Sequence, residues 1–146
     1  MTYIDTSVLV AYYCPEPLSR TAQDAILRVK QPAISPLVEV EFHSAIALKI
    51  RTGELDTQSG HDVLAELESD LAKRLYRIVP IGAAEYTIAR DWLGRFSSPL
   101  RTLDALHLAA AAGNSAVLLT ADRALAQSAR HFKVKHRLIG QTAGQT

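Results

Sequence analysis

The segment S-A-V-L-L-T at residues 115–120 constrains the fold most strongly, because its interior is continuously apolar. Such a run is typical of a strand in a parallel sheet that helices cover on both faces. Four other short segments predict strands, at residues 2–5, 31–35, 75–80 and 134–139. The last of these, V-K-H-R-L-I, alternates basic and apolar residues and therefore predicts an edge strand.

Helical patterns separate the predicted strands along the whole chain. They cover residues 7–13, 18–30, 36–51, 57–75, 85–96, 103–113 and 123–130. This alternation predicts a three-layer α/β/α fold, in which a mainly parallel sheet of about five strands lies between helices joined by right-handed crossovers. The 146 residues, 48% of them hydrophobic, predict one domain over residues 1–140 and a flexible tail at 141–146.

Composition narrows the possible classes of protein. The formal net charge of +1 is no signature of a nucleic-acid-binding protein, although a basic rim around an acidic site would also average to such a value. Cys14 is the only cysteine, which excludes an intrachain disulfide and a cysteine-based metal site. No apolar stretch reaches the roughly 20 residues that cross a bilayer, and no signal-peptide pattern is present. We therefore expect a cytoplasmic protein without a membrane partner.

Two aspartates, Asp5 and Asp122, each follow a predicted strand and precede a predicted helix. A carboxylate in that position commonly caps the free N–H groups of the helix, and this structural role remains open for both. The carboxyl ends of parallel strands also lie at one edge of the sheet, where open α/β proteins bind their ligands. The sequence therefore allows Asp5 and Asp122 to share a functional site.

Two more acids belong to helices beside these strand ends. Glu41 follows Leu37 by four residues, so the helical period predicts that it lies within an inward stripe with Leu37, Ala45 and Leu48. Glu39 is predicted on the opposite side of that helix, near His43, as a solvated charge. Asp104 is in the first turn of its helix, with His107 three residues later on the same face.

The predicted topology allows four carboxylates to converge, those of Asp5, Glu41, Asp104 and Asp122. Close carboxylates repel one another unless a cation receives them. Sites rich in carboxylate oxygens favour Mg²⁺ or Mn²⁺, which can activate water and stabilise charge on a phosphate under attack. The site is therefore interpreted as a phosphodiesterase.

Four motifs resemble the PIN-domain family, and within it the VapC-like toxins of toxin–antitoxin pairs. They are Y-I-D-T-S-V-L-V with Asp5, S-P-L-V-E-V-E-F with Glu41, L-D-A-L-H-L-A-A-A with Asp104, and L-L-T-A-D with Asp122. The resemblance implies a PIN-like fold and an endoribonuclease that depends on Mg²⁺ or Mn²⁺. It implies that Asp5 and Asp104 are direct ligands, that Glu41 and Asp122 complete the catalytic cluster, and that the hydroxyls of Thr6 and Thr120 orient the carboxylates.

The same resemblance implies three partners: an RNA substrate, a cognate antitoxin protein and a second copy of the chain. Candidate phosphate contacts are Arg51, Arg95, Arg101 and Arg123, each equally well explained as an ordinary surface arginine.

Two other functions remain as alternatives. A phosphatase with an aspartyl nucleophile normally has a second Asp two residues after the first, where this chain has Ser7. A non-catalytic module would use the acidic rim to bind nucleic acid or a basic protein segment, but it would not require inward carboxylates at their desolvation cost.

Overall fold

The computed structural model describes residues 1–140 of the chain, so the predicted tail at 141–146 lies outside the described residues. The elements are β1 (Thr2–Ile4), α1 (Thr6–Tyr13), α2 (Ser19–Leu27), β2 (Pro32–Ile34), α3 (Pro36–Arg51), α4 (Thr57–Ala72), β3 (Arg77–Ile78), α5 (Ala83–Gly94), α6 (Thr102–Gly113), β4 (Val117–Thr120), α7 (Arg123–His131) and β5 (His136–Leu138). The predicted alternation of strands and helices is confirmed, and the differences are confined to a few residues at the element ends.

All strand pairs of the five-stranded sheet are parallel, in the order β3-β2-β1-β4-β5. β1 is the central strand, between β2 and β4. Because β1 and β4 are parallel, their carboxyl ends lie side by side. β5 is an edge strand, as the basic alternation of its segment predicted. The α/β architecture expected from the sequence is therefore confirmed.

Two groups of helices cover the sheet. α1 to α4 pack against one another, and α5 to α7 form a second packed group. The chain moves from β1 through β2 to β3 in one direction and then returns to β4 and β5 on the other side of β1. Because right-handed crossovers in opposite directions lie on opposite faces, the two groups form the outer layers of an α/β/α sandwich.

Burial confirms the prediction that β4 is covered on both faces and corrects the predicted faces of two helices. Leu118 and Leu119 of β4 are essentially fully buried, as expected for a strand covered on both faces. On α3 the buried residues are Val38, Phe42 and Ile46 rather than the predicted stripe, and Leu48 is 53% exposed. The helix is rotated by one residue because Phe42 and Ile46 offer a larger apolar surface than Ala45. Glu41 consequently lies at the margin of the buried face.

On α5 the helical period of the sequence predicts an inward face of Tyr86, Ala89, Trp92 and Leu93, but Tyr86 is 57% exposed. Trp92 of the same helix is buried and stacks on Phe132, with ring centroids 4.9 Å apart, which confirms that it packs in the core. Within residues 1–140, no helix combines the length and the apolar character needed to cross a membrane.

Candidate active site at the carboxyl ends of β1 and β4

Asp5 follows β1 directly and is 4% exposed. Its Oδ1 atom accepts hydrogen bonds from the Ser7 hydroxyl at 2.5 Å and from the Val8 amide at 3.3 Å, so Asp5 caps α1 as the structural interpretation predicted. Its Oδ2 atom accepts a hydrogen bond of 2.6 Å from the Thr120 hydroxyl. Burial raises the pKa of Asp5, and the bonds from Ser7 and Thr120 oppose that shift.

Thr120 and Ser7 join the end of β1 to the end of β4. The Thr120 hydroxyl donates to Asp5 and accepts the Asp122 amide at 3.0 Å. The Ser7 hydroxyl also donates to Asp5 and accepts the Ala121 amide at 3.0 Å. These two bridges hold the Asp5 and Asp122 segments side by side. This bridging role of Ser7 was not predicted, because in the sequence Ser7 only marks the position where a phosphatase would have its second Asp.

Asp122 is partly exposed and caps α7. Its Oδ1 atom accepts hydrogen bonds from the amides of Ala124 at 2.8 Å and Leu125 at 3.2 Å. The capping role is therefore confirmed for Asp122 as well as for Asp5. A cap uses only part of a carboxylate's acceptor capacity, so it does not prevent a second contact at the other oxygen.

Glu41 is half-buried and points to the α6 side of the sheet. Its Oε1 atom accepts a hydrogen bond of 2.8 Å from the Thr6 hydroxyl and also contacts Nε2 of His107. Burial acts to raise the pKa of Glu41, but the His107 hydrogen bond and charge, together with Thr6, hold the pKa below its ordinary value. Glu41 is thus the acid of α3 that reaches the other elements of the site.

His107, buried on α6, connects Glu41 to a chain of hydroxyl groups. Its Nδ1 atom lies 2.8 Å from Tyr3 Oη, and Tyr3 Oη lies 2.7 Å from Ser35 Oγ. Ser35 accepts the Val38 amide at 3.4 Å. The Val38 amide donates to Ser35, and consecutive hydrogen bonds then connect Ser35 through Tyr3 and His107 to Glu41.

His107 was predicted on the same helical face as Asp104, whereas Tyr3 and Ser35 were not predicted as part of the site. Tyr3 occupies an ordinary strand position of β1, and Ser35 is an ordinary N-cap of α3. Their connection spans 32 residues of sequence and depends on the pairing of β1 with β2. No local sequence signal marks such a contact, because it forms only when the sheet assembles.

Asp104 is half-buried in the first turn of α6, and no hydrogen bond to its carboxylate is found among residues 1–140. Burial raises its pKa first, the charge of Asp122 raises it next, and Asp5 and Glu41 add to the rise while His107 opposes it. All three of the other predicted acids therefore contribute to the raised pKa of Asp104. Glu39 is not among the groups that shift its pKa.

The donor set, four carboxylates without a thiolate, is of the kind that holds Mg²⁺ or Mn²⁺. The negative charges of the other three acids disfavour the ionised form of Asp104, and a bound cation would offset this repulsion. In the part of the chain that the structure describes, no group of three or more His, Cys, Asp or Glu side chains is already placed to hold an ion. The donor chemistry fits a hard divalent cation, and the roles of these acids as ligands stay predictions.

The four candidate phosphate contacts are exposed but lie in different settings. Arg101 precedes α6 and Arg123 begins α7, so both stand where the acidic segments enter their helices. Arg95 pairs with Asp91 at 2.6 Å. Arg51 is ten residues along α3 from Glu41, about 15 Å at the helical rise. Arg101 and Arg123 are the better placed pair.

Together, the parallel sheet order and the positions of Asp5 and Asp122 after β1 and β4 define an α/β protein with acidic residues at the carboxyl edge of its sheet. The family model for the PIN domain matches residues 2–130. The chain therefore belongs to the PIN domain family, which confirms the resemblance inferred from the four motifs.

Solved structures show the same fold at low sequence identity. FitAcB from Neisseria gonorrhoeae is 21% identical, with a TM-score of 0.72 over 93% of this chain and 96% of that chain. VapC20 from Mycobacterium tuberculosis, described as a Sarcin-Ricin loop cleaving toxin, is 17% identical, with a TM-score of 0.69 over 88% and 95%. VapBC2 from Rickettsia felis, bound to a DNA fragment from its promoter, is 17% identical, with a TM-score of 0.65 over 94% and 98%. A comparison with curated proteins gave no match.

Proposed function

We propose that this PIN domain is an endoribonuclease that depends on Mg²⁺ or Mn²⁺ and acts in the cytoplasm as the toxin of a toxin–antitoxin pair. The proposal is carried by the setting of Asp104, a half-buried carboxylate without an internal hydrogen bond in residues 1–140, whose pKa is raised first by burial and then by three other acids. A carboxylate in this setting has free acceptor oxygens and would be stabilised by a bound cation. The toxins and toxin–antitoxin complexes among the structural neighbours support the biological role.

Asp5 and Asp104 would hold the metal directly, and Glu41 and Asp122 would complete the cluster. The bound ion would activate water and neutralise charge on the scissile phosphate. Thr120 and Thr6 support these roles, because Thr120 donates to Asp5 and Thr6 donates to Glu41. Both hydroxyls restrict the rotamers of a carboxylate, as groups behind metal ligands do.

His107 acts as a positioning residue for Glu41. A half-exposed glutamate has several accessible rotamers, and a ring held by Tyr3 on its other nitrogen restricts them. The chain of hydrogen bonds from Ser35 through Tyr3 links this position to β1 and to the start of α3. The geometry of Glu41 therefore depends on the packed core and not on α3 alone.

A homodimer is the proposed assembly, formed through an apolar surface between α3 and α5. Val40 is 68% exposed and Tyr86 is 57% exposed. Neighbouring exposed apolar side chains of this kind commonly mark a surface that binds another protein. They border a cavity of about 270 Å³ whose lining carries no charge, formed by Pro36, Leu37, Val40, Ile81, Tyr86 and Leu106. An uncharged apolar surface of this kind fits a second copy better than a charged partner.

The nuclease is tested by cleavage of a mixed RNA pool by purified protein, with Mg²⁺ or Mn²⁺, with EDTA, and with the Asp104→Asn variant. We expect cleavage only with metal and with Asp104. Glu39→Gln is the matched control, since Glu39 neighbours the site in sequence without shifting the pKa of Asp104. Cleavage that survives EDTA or Asp104→Asn would contradict the proposal. Absence of cleavage under all conditions would favour a non-catalytic module that binds nucleic acid or a basic protein segment through the acids.

A further inference from the structure

A second concave site lies at the opposite end of the strands from the acids. It has a volume of about 580 Å³ and is lined by Met1, Thr2, Arg28, Val29, Lys30, Gln31, Val117, Leu119 and Arg137. Thr2 and Val117 are the first residues of β1 and β4, whereas the acids follow the last residues of these strands. We call this concavity the basic pocket. The proposed nuclease makes no use of it.

The topology explains why this part of the sheet is open. The registers pair Thr2 with Val117 and Leu119 with Arg137, so these side chains share one face, and Tyr3 points to the other face toward α6. The main contacts of β5 are with β4 and with α7, which belongs to the opposite layer. In the layer formed by α1 to α4, α1 contacts β4 but no helix is among the main contacts of β5, so the pocket opens beside β5 on this face.

The pocket combines an apolar floor with a cationic rim. Leu119 is buried at its base, beside Val117 and Val29. Arg28, Lys30 and Arg137 are exposed at its rim, and in residues 1–140 none of them takes part in an ion pair. No Asp or Glu is among the lining residues. The rim thus carries three positive charges that form no ion pair with an acidic side chain of residues 1–140.

This lining selects among possible occupants. A nucleic acid that binds in a pocket usually stacks its bases on aromatic side chains, and no lining residue is aromatic. An aliphatic floor suits Leu, Ile or Val side chains, and the rim suits carboxylates beside them. The side chains of residues 141–146, Q-T-A-G-Q-T, carry no acid, so charge complementarity does not favour the end of this chain as the occupant.

We infer that the basic pocket docks a segment of a partner protein in which aliphatic residues alternate with Asp or Glu. The aliphatic side chains contact Val29 and Val117, which are partly exposed above the buried Leu119, and the carboxylates pair with Arg28, Lys30 and Arg137. Since the pocket is at the end of the strands away from Asp5, the partner occupies it without contacting the acids. The inference does not depend on the nuclease activity.

The test is fluorescence anisotropy with a labelled synthetic peptide in which Glu alternates with Leu and Val. Two peptides serve as comparisons: one with Lys in place of Glu, and one with Ser in place of Leu and Val. We expect the acidic aliphatic peptide to bind, to weaken with added salt, and to bind more tightly than either comparison.

The protein variants are charge reversals with a matched control. Arg28→Glu, Lys30→Glu and Arg137→Glu combined should weaken binding by roughly tenfold or more. Arg20→Glu, Lys73→Glu and Arg130→Glu combined make the same change in net charge at exposed residues outside the pocket and should weaken it by less than about twofold. A milder variant combines Arg28→Gln, Lys30→Gln and Arg137→Gln, which remove the charges without reversing them. The melting temperatures of all variants show whether weaker binding results from loss of the folded state.

Four results would overturn the inference. The first is the absence of binding, and the second is equal weakening by the two charge-reversed sets. The third is equal affinity for the Ser-containing acidic peptide, which would show only general attraction to cations. The fourth is tight binding of a single-stranded RNA, tested in the Asp104→Asn background, that depends on the pocket cations. RNA cleavage is expected to persist in the reversed variant, so failure of the nuclease proposal and failure of this one remain distinguishable.

Discussion

Asp104 differs from Asp5, Glu41 and Asp122 in the support its carboxylate receives. Each of the other three accepts hydrogen bonds from a hydroxyl or a helix amide, and in the described part of the chain Asp104 accepts none. Hydrogen bonds to a carboxylate stabilise its charged form. Asp104 therefore has no hydrogen bond within the described residues that would oppose the rise of its pKa by burial and by the neighbouring acids.

We predict that Asp104→Asn raises the melting temperature near neutral pH in the presence of EDTA. Burial and the neighbouring acids raise the pKa of Asp104 in the folded protein. The stabilisation associated with a raised pKa is present below the pKa of the unfolded chain and is lost as pH rises through the folded pKa. The ionised Asp104 thus destabilises the protein near pH 7, and the gain from Asn should shrink as pH falls to about 4. A lower melting temperature for the variant at neutral pH would contradict this account.

Tyr3→Phe tests the positioning chain. Loss of the hydroxyl leaves His107 Nδ1 and Ser35 without their partner, so stability should fall by roughly 1 kcal/mol. Because Glu41 becomes less well oriented, we expect kcat for RNA cleavage to fall roughly tenfold while KM is unchanged.

Tyr13→Phe is the control for Tyr3→Phe. Tyr13 is also buried, and its hydroxyl bonds Asp70 at 2.5 Å and lies 2.9 Å from Tyr76, in a network separate from the acids. Its removal should lower the melting temperature and leave cleavage unchanged. Equal loss of kcat in both variants would show that Tyr3 acts only through stability.

At the scale of elements, the junction of β1 and β4 depends on Thr120. Its hydroxyl donates to Asp5 and accepts the Asp122 amide, so one side chain connects two strand ends. Thr120→Val keeps the shape and removes both bonds at a buried position. We expect a loss of roughly 1–3 kcal/mol in the free energy of unfolding, measured by urea denaturation, with loss of cleavage.

Thr120→Ser retains the hydroxyl and should recover most of both properties. If Thr120→Val proved as stable and active as the parent protein, the proposed support of Asp5 by Thr120 would be wrong.

The elements themselves were predictable because their signals are local. The apolar run before Asp122 required a buried strand, and Gly53, at a φ of +79°, follows α3 at the predicted helix end. The buried face of α3 was not predictable from the sequence. A rotation of the helix by one residue places Phe42 instead of Glu41 at the centre of the buried face. That choice depends on the total apolar surface meeting the sheet, which is a property of the assembled layers.

The site was predictable in part for the same reason. Asp5 and Asp122 follow strands, and parallel strands end at one edge, so their proximity follows from topology. The chain through Tyr3 and Ser35 joins residues that no local pattern connects.

At the scale of the whole molecule, the exposed apolar surface on α3 and α5 should determine assembly. We predict that Val40→Lys converts a dimer into a monomer in sedimentation velocity, because it places a charge within an apolar interface.

Leu27→Lys is the matched control for Val40→Lys, since Leu27 is 75% exposed on α2, outside the apolar cavity. It should leave the dimer intact. A parent protein that is monomeric at all concentrations tested would exclude this interface.

In the proposed active site, the four acids of this PIN domain hold a divalent cation. The most direct measurement is the melting temperature with and without Mn²⁺ for the parent protein, Asp104→Asn and Glu39→Gln. A cation that binds only the folded state stabilises it by mass action, so we predict a rise for the parent and for Glu39→Gln, and little or none for Asp104→Asn. An unchanged melting temperature in the parent protein, or an equal rise in all three, would contradict the account.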